Sequence, residues 1–217
     1  MVIHILSLFP ESIRPYLDSS IMKRAQEKGL FQYTLHNLTD WTVRNTRRVD
    51  DRPYGWFPGT ILTIEPLAHA LRDLEQMYGK MQYILPSPRW KILTQVTIEE
   101  QTKDSGVQYC IICPHYEGVD ERIFELFPIK TFSLGEFIIS SGELASLIWI
   151  DAMVRMIPWV LNTESILEES FSSQLNRETE YPQYSRPEHF EWHSVPKILL
   201  SWDKKKIEKW KNENRWK

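Results

Sequence analysis

Four segments of this 217-residue chain hold polar and charged groups between Gly and Pro residues, a pattern that builds sites rather than core. They are Val49-Asp-Asp-Arg-Pro-Tyr-Gly-Trp-Phe-Pro-Gly59, Ser87-Pro-Arg-Trp90, Pro114-His-Tyr-Glu-Gly-Val-Asp-Glu-Arg122 and Ser133-Leu-Gly-Glu-Phe-Ile-Ile-Ser-Ser-Gly-Glu143. Three of them follow runs that read as strands. In an open α/β sheet, ligands bind outside the carboxyl ends of the strands, so these positions point to one shared pocket. Any one segment alone could simply turn the chain. The two cysteines give a different reading. Cys110-Ile-Ile-Cys113 has the spacing of half a metal knuckle, but positions three apart in a strand face opposite sides of a sheet, and no further ligands occur at fitting spacing. No metal site is expected there.

The elements that must position these segments are legible as apolar runs alternating with amphipathic ones. Continuous apolar runs predict strands over Val2–Phe9, Phe31–Leu38, Met81–Leu85, Gln108–Cys113 and Thr131–Ile139. Amphipathic spacing predicts helices over Ile13–Lys28, Pro66–Tyr78, Ile98–Lys103, Asp120–Leu126 and Gly142–Met156. The alternation is that of an α/β fold with a parallel sheet covered on both faces. After Pro158 the composition turns polar with little periodicity, and Trp202–Trp216 then has the spacing and Lys content of a short basic helix. The expected organisation is a domain over 1–160, a flexible linker over 161–178 and a small C-terminal domain over 179–217.

Composition bounds the function classes. Apolar residues make up 42% and charged residues 25%, ordinary for a soluble globular protein. The run Met1–Phe9 lacks a basic leader, carries His4 and Ser7, and meets Pro10 too early for a membrane span. With only two cysteines, a reducing cytoplasm is expected. A net charge of −3 argues against indiscriminate nucleic-acid binding, while the clusters Arg44–Arg52 and Lys204–Lys217 can still grip phosphates.

Taken in order, the motifs Ser7-Leu-Phe-Pro-Glu11, Val49-Asp-Asp-Arg-Pro-Tyr-Gly55, Tyr116-Glu-Gly-Val-Asp-Glu-Arg122, Gly142-Glu-Leu144, Tyr184-Ser-Arg-Pro-Glu188 and Val195-Pro196 resemble the bacterial tRNA (guanine-N1)-methyltransferase family of the SPOUT superfamily. The resemblance runs from Met1 to about Trp210. It implies a parallel α/β sheet with a deep trefoil knot, a small helical C-terminal domain, and a homodimer acting on the anticodon stem-loop of tRNA rather than on DNA or a membrane. The implied reaction moves a methyl group from S-adenosylmethionine to N1 of the guanine just 3′ of the anticodon, with magnesium suggested by analogy. The implied donor pocket comprises Ser87, Pro88, Pro114, Tyr116, Glu117, Leu134, Gly135, Glu136, Phe137, Ile138, Ile139, Ser141 and Gly142. Asp51, Arg52, Tyr54, Gly55, Gly59 and Arg186 are the implied tRNA contacts. No GxGxxG follows a strand, which favours the knotted route over a Rossmann one.

Methylation at N1 displaces a proton, which needs a positioned base, and a cation beside O6 would stabilise the developing charge. The resemblance assigns these roles to Glu169 and Arg155. Glu169 stands where the family has Asp, and Glu168 is a neighbouring candidate. Pro114 and Ser141 replace family glycines. These three departures define an alternative, a tRNA-binding protein of the same fold with impaired catalysis. The C-terminal part is shorter than the family's usual tail, which implies a weaker, more salt-sensitive grip on the anticodon stem.

Tryptophan is abnormally frequent, with 9 Trp against 8 Gly. Trp56, Trp90, Trp159, Trp192 and Trp202 each fall where the family pattern carries Gly. Repetition of so bulky a replacement suggests that UGA is read as glycine in the gene's own code and was translated here as tryptophan.

Overall fold

A computed structural model describes residues 1–42, 47–103 and 106–215, with the side chains of Thr163 and Glu164 left out. Arg44 of the first basic cluster and Trp216 and Lys217 of the second lie outside the described residues. The chain divides into two compact units, Met1–Val160 and Leu161–Lys217.

The strands of the first unit are β1 (Val2–Ser7), β2 (Gln32–Asn37), β3 (Asp50–Asp51), β4 (Ile61–Leu62), β5 (Gln82–Pro86), β6 (Gln108–Ile112) and β7 (Ile129–Phe132). Its helices are α1 (Arg14–Leu17), α2 (Ser20–Glu27), α3 (Ile64–Tyr78), α4 (Gln95–Thr102), α5 (Ile123–Leu126) and α6 (Gly142–Arg155). Five strands form one sheet in the order β2-β1-β6-β5-β7, and every pairing in it is parallel. Each central strand sends successive side chains into two separate cores. Ile3, Ile5, Ile84, Ile111 and Cys113 pack with Met22, Ile98, Trp149 and Met153 on one face. Leu6, Leu85, Cys110 and Ile112 pack with Leu67, Leu71, Leu74 and Ile123 on the other. Burial on both faces is why these strands are apolar throughout instead of alternating. Cys110 and Cys113 thus face opposite cores, and burial pushes the Cys110 thiol up to about 12.

Helix spacing follows from the same cores. Leu67, Ala70, Leu71 and Leu74 give α3 one buried stripe, and Gly79 at φ +86° ends it. Ala145, Trp149, Ile150 and Met153 do the same for α6.

Besides shifts of a few residues at element ends, the first unit departs from the sequence reading in two places. The expected helix Ile13–Lys28 is split, because Asp18 leaves the helical region, Ser19 is extended, and the Asp18 carboxylate accepts from the Tyr33 hydroxyl at 2.6 Å. The expected strand Thr131–Ile139 stops at Phe132, where Ser133 Oγ takes the Gly135 N–H and donates to the Gly135 carbonyl, folding the chain off the sheet. The second unit begins with the stretch expected as a linker. It carries α7 (Thr163–Leu167) and a bonded turn in which Ser172 N–H donates to the Glu169 carbonyl and Phe171 N–H to the Glu178 carbonyl.

The rest of the second unit comprises a hairpin of β8 (His189–Phe190) and β9 (His193–Ser194), then α8 (Lys204–Glu213). The helix starts where Asp203 Oδ1 accepts from the Lys206 N–H. Tyr181 and Tyr184 pack against Trp210, and the Lys211 ammonium sits 4.6 Å from the Tyr181 ring centre.

Candidate functional site

Three loops leave the carboxyl ends of adjacent strands β5, β6 and β7 and enclose a cavity of about 300 Å³. The loop after β5 contributes Ser87, Pro88 and Arg89; the loop after β6, Pro114 to Val119; the loop after β7, Leu134, Gly135 and Phe137 to Ser141. Gly142 and Ala145 of α6 close the floor. The loops are tied to one another by backbone bonds. Ser87 N–H donates to the Phe132 carbonyl, Leu93 N–H to that of Ser133, and Ser133 N–H to that of Lys91. Gly142 N–H donates to the Pro114 carbonyl at 2.8 Å. A side chain at Gly142 would lie 2.2 Å from Pro114 Cδ and 2.5 Å from Pro114 N, so α6 can approach β6 this closely only with glycine as its first residue.

The cavity brings together twelve of the thirteen residues assigned to the donor pocket from the sequence. Glu136 is the exception. Gly135 at φ +150° turns the chain there, and Glu136 is exposed outside the wall. Apolar surface comes from Leu85, Phe124, Phe132, Leu134 and Ile139, and polar groups from Ser87, Glu117 and Ser141. Tyr116 has φ +57°, and burial, followed by the negative Asp50, raises its hydroxyl pKa, so the phenol stays protonated at neutral pH.

The residues from Gly59 to Leu62 pack against the loop after β6 that lines this cavity. Thr60 and Leu62 bond to the loop after β6, with Glu117 N–H donating to the Thr60 carbonyl and Leu62 N–H to that of Gly118. A side chain at Gly59 would fall 2.7 Å from Glu117 Oε1. Asp51 lies in β3, where its carboxylate accepts from the Arg52 N–H. Arg52, Tyr54 and Gly55 are exposed, Tyr54 almost completely. Arg155 ends α6 in the first unit; Glu169 and the exposed Arg186 belong to the second. Glu168 accepts from Lys211 Nζ at 3.3 Å and from the Tyr181 hydroxyl at 3.4 Å.

One group of residues escaped the sequence reading. The Glu143 carboxylate, only 5% exposed, accepts from the Ser7 hydroxyl at 2.5 Å, and both its oxygens lie 2.7 Å from His115 Nε2. Ser7 Oγ in turn accepts from the Phe9 N–H. The available signals were a serine inside the apolar first strand and a glutamate in the first turn of an apolar helix.

Fold and cavity together define an α/β ligand-binding protein whose site is made from three strand-end loops instead of one glycine-rich turn. The family model described as tRNA (Guanine-1)-methyltransferase TrmD matches residues 1–217. The tRNA (guanine-N(1)-)-methyltransferase of Clostridioides difficile is 38% identical over 216 residues, covering 98% of this chain and 91% of that protein. Its counterpart in Macrococcus caseolyticus is 41% identical over 217 residues, covering 100% and 88%. The crystal structure of the tRNA (m1G37) methyltransferase from Aquifex aeolicus superposes with a TM-score of 0.80 at 34% identity, over 98% of this chain and 88% of that one. The chain belongs to the tRNA (guanine-1)-methyltransferase family.

Proposed function

We propose that this chain transfers a methyl group from S-adenosylmethionine to N1 of the guanine 3′-adjacent to the anticodon, position 37 in the name of the Aquifex enzyme. The carrying observation is the cavity among the loops after β5, β6 and β7 in a chain whose whole length matches the family. Its volume of about 300 Å³ sits at the low end of the range for small-molecule sites. The donor suits its lining. Leu134 and Ile139 provide apolar surface for an adenine, and the Glu117 carboxylate suits a sulfonium cation.

When bound, the donor supplies an electrophilic methyl group. Glu169 accepts the N1 proton, and the Arg155 guanidinium stabilises the charge that develops at O6. Arg52, Tyr54 and Arg186 hold the tRNA, and the stretch around Glu169 adjusts to bring its longer side chain to the base. Among the described residues no three His, Cys, Asp or Glu side chains converge as a protein-built magnesium cage would.

The knot is part of the proposal. Its support is the segment from Ser87 to Leu93, which bonds to β7 at Phe132 and Ser133 while α6 returns to Pro114. A homodimer sharing each site between subunits, a role for the second unit in gripping tRNA, and a cytoplasmic location complete the reading. Among the described residues no helix is long and apolar enough to cross a membrane.

The test is transfer of label from S-adenosylmethionine to a tRNA transcript with guanine 3′ of the anticodon, and to the same transcript with adenine there. Label on the first alone is expected. Binding of tRNA without turnover, even in a protein carrying glycine at the five family-glycine positions, would favour the catalytically impaired alternative.

A further inference from the structure

We infer that Glu143 and His115 are positioning residues that set affinity for the methyl donor; this rests on the function proposed above. Glu143 lies in the first turn of α6, beside the cavity floor, where the helix N-terminus also favours a negative charge. Its carboxylate joins three chain segments far apart in sequence: the end of β1 through Ser7, the loop after β6 through His115, and α6 itself. Ser7 has one proton to give. Since Ser7 Oγ accepts from Phe9 N–H, its own hydrogen goes to Glu143, so the carboxylate is the acceptor in both contacts and His115 Nε2 carries a hydrogen. The flanking residues Pro114, Tyr116 and Glu117 form one wall of the cavity, and Gly142 forms the adjoining floor. A buried carboxylate left without its partner would draw in water or rotate away, and the loop after β6 would lose its anchor to α6.

The experiment measures the dissociation constant for S-adenosylmethionine by calorimetry, alongside kcat and KM on tRNA. For Glu143→Gln and His115→Phe the donor dissociation constant is expected to rise at least about tenfold, with kcat at saturating donor changing far less. His115→Arg, which restores an N–H donor to Glu143, should recover most of the loss, and Ser7→Ala, which leaves the imidazole contact intact, should show a smaller rise. Unchanged donor affinity in folded Glu143→Gln overturns the inference, as does a fall in kcat at unchanged affinity. A wild-type protein that binds no donor at all would instead sink the proposed function.

Independently, the geometry points to glycine as the natural residue at Trp56 and Trp159, and their exposure groups Trp90, Trp192 and Trp202 with them. All five side chains are exposed, from 49% at Trp90 to 101% at Trp56 and Trp202. Ile157–Val160 is a turn closed by Val160 N–H on the Ile157 carbonyl, with Pro158 second and Trp159 third at φ +73°. That is the position of a type II turn at which glycine is required, and Pro-Gly is its usual dipeptide. Trp56 has φ +61° directly after Gly55 at φ +91°. Trp192 is the second residue of the two-residue connection between β8 and β9, where positive φ falls on Glu191 and the Trp192 side chain is 96% exposed. Trp41, Trp149 and Trp210 contrast with these, each held by a hydrogen bond or by aromatic neighbours. A code in which UGA specifies glycine accounts for this division without any further assumption.

Two readings test it: the codons of the gene, and peptide masses of the protein isolated from its own organism. UGA at the five positions with UGG at Trp41, Trp149 and Trp210, and glycine masses at the five, are expected. UGG at the five positions, or UGA at any of the three packed ones, overturns the inference.

Discussion

The core beneath α6 and the exposed turns treat tryptophan in opposite ways. Trp149 is fully buried, meets Tyr109 edge-on with ring centres 5.3 Å apart, and donates its indole N–H to Gln101 Oε1 at 3.0 Å. Trp159 follows the same helix by a few residues, yet it is 78% exposed and holds a backbone conformation that costs a side chain energy. One site uses every property of the indole, its area, its flat edge and its single donor. The other uses none and would be served better by a hydrogen atom. The lesson is that residue type alone does not identify an anchor; burial, a partner for the polar atom and a relaxed backbone must coincide.

The comparison is broken most directly at its buried end. Trp149→Ala should destabilise the fold by about 3–5 kcal/mol, from lost burial, a cavity and the Gln101 amide left without its donor. Urea denaturation measures this, and a loss below about 1 kcal/mol would mean that the α6 core is not the anchor described. The histidines divide along a similar line. His36 is buried against His4, with His36 Nε2 3.1 Å from His4 Nδ1, and burial, followed by the neighbouring His4, lowers its pKa from 6.5 to about 4. A group whose folded pKa is depressed contributes stability that is complete above the unfolded value and is lost as pH falls. The full shift is worth about 3 kcal/mol, and solvent screening of the ring reduces it, so stability should decline by about 2 kcal/mol as pH drops from 6.5 towards 4. His36→Phe should flatten that part of the profile, whereas exposed His193→Gln should leave it unchanged; a profile identical in all three proteins would contradict the assignment.

These contrasts also explain how much could be read from sequence. The parallel sheet was legible because strands buried on both faces must be apolar at every position, as in Ile3, Ile5 and Leu6. The cavity was legible because loops that expose backbone at strand ends carry Gly, Pro and Ser, as in Ser87-Pro88 and Gly135. The Ser7–Glu143–His115 group was not, since its partners are 136 and 28 residues apart and no local pattern joins them. Nor was the end of β7, which is set by one serine hydroxyl bridging the backbone of Gly135. The break at Asp18 depends on a hydroxyl from β2, a tertiary contact that helical spacing does not encode.

At the exposed end, glycine replacements sharpen the comparison by reversing its sign. Trp159→Gly and Trp56→Gly relieve a left-handed conformation, worth about 1–2 kcal/mol for a residue with a side chain, against about 0.5–1 kcal/mol for the added freedom of the unfolded chain. Each should raise stability by on the order of 0.5–1 kcal/mol, seen as a shift of the denaturation midpoint to higher urea. Trp202→Gly is the control, because this fully exposed side chain lies at a position not among those with positive φ. Its effect should stay within about 0.5 kcal/mol of zero, as for surface changes away from any special feature. A loss above about 1 kcal/mol in Trp202→Gly would show that an exposed indole does hold structure there, and the division between packed and unpacked tryptophans would fail at its clearest case.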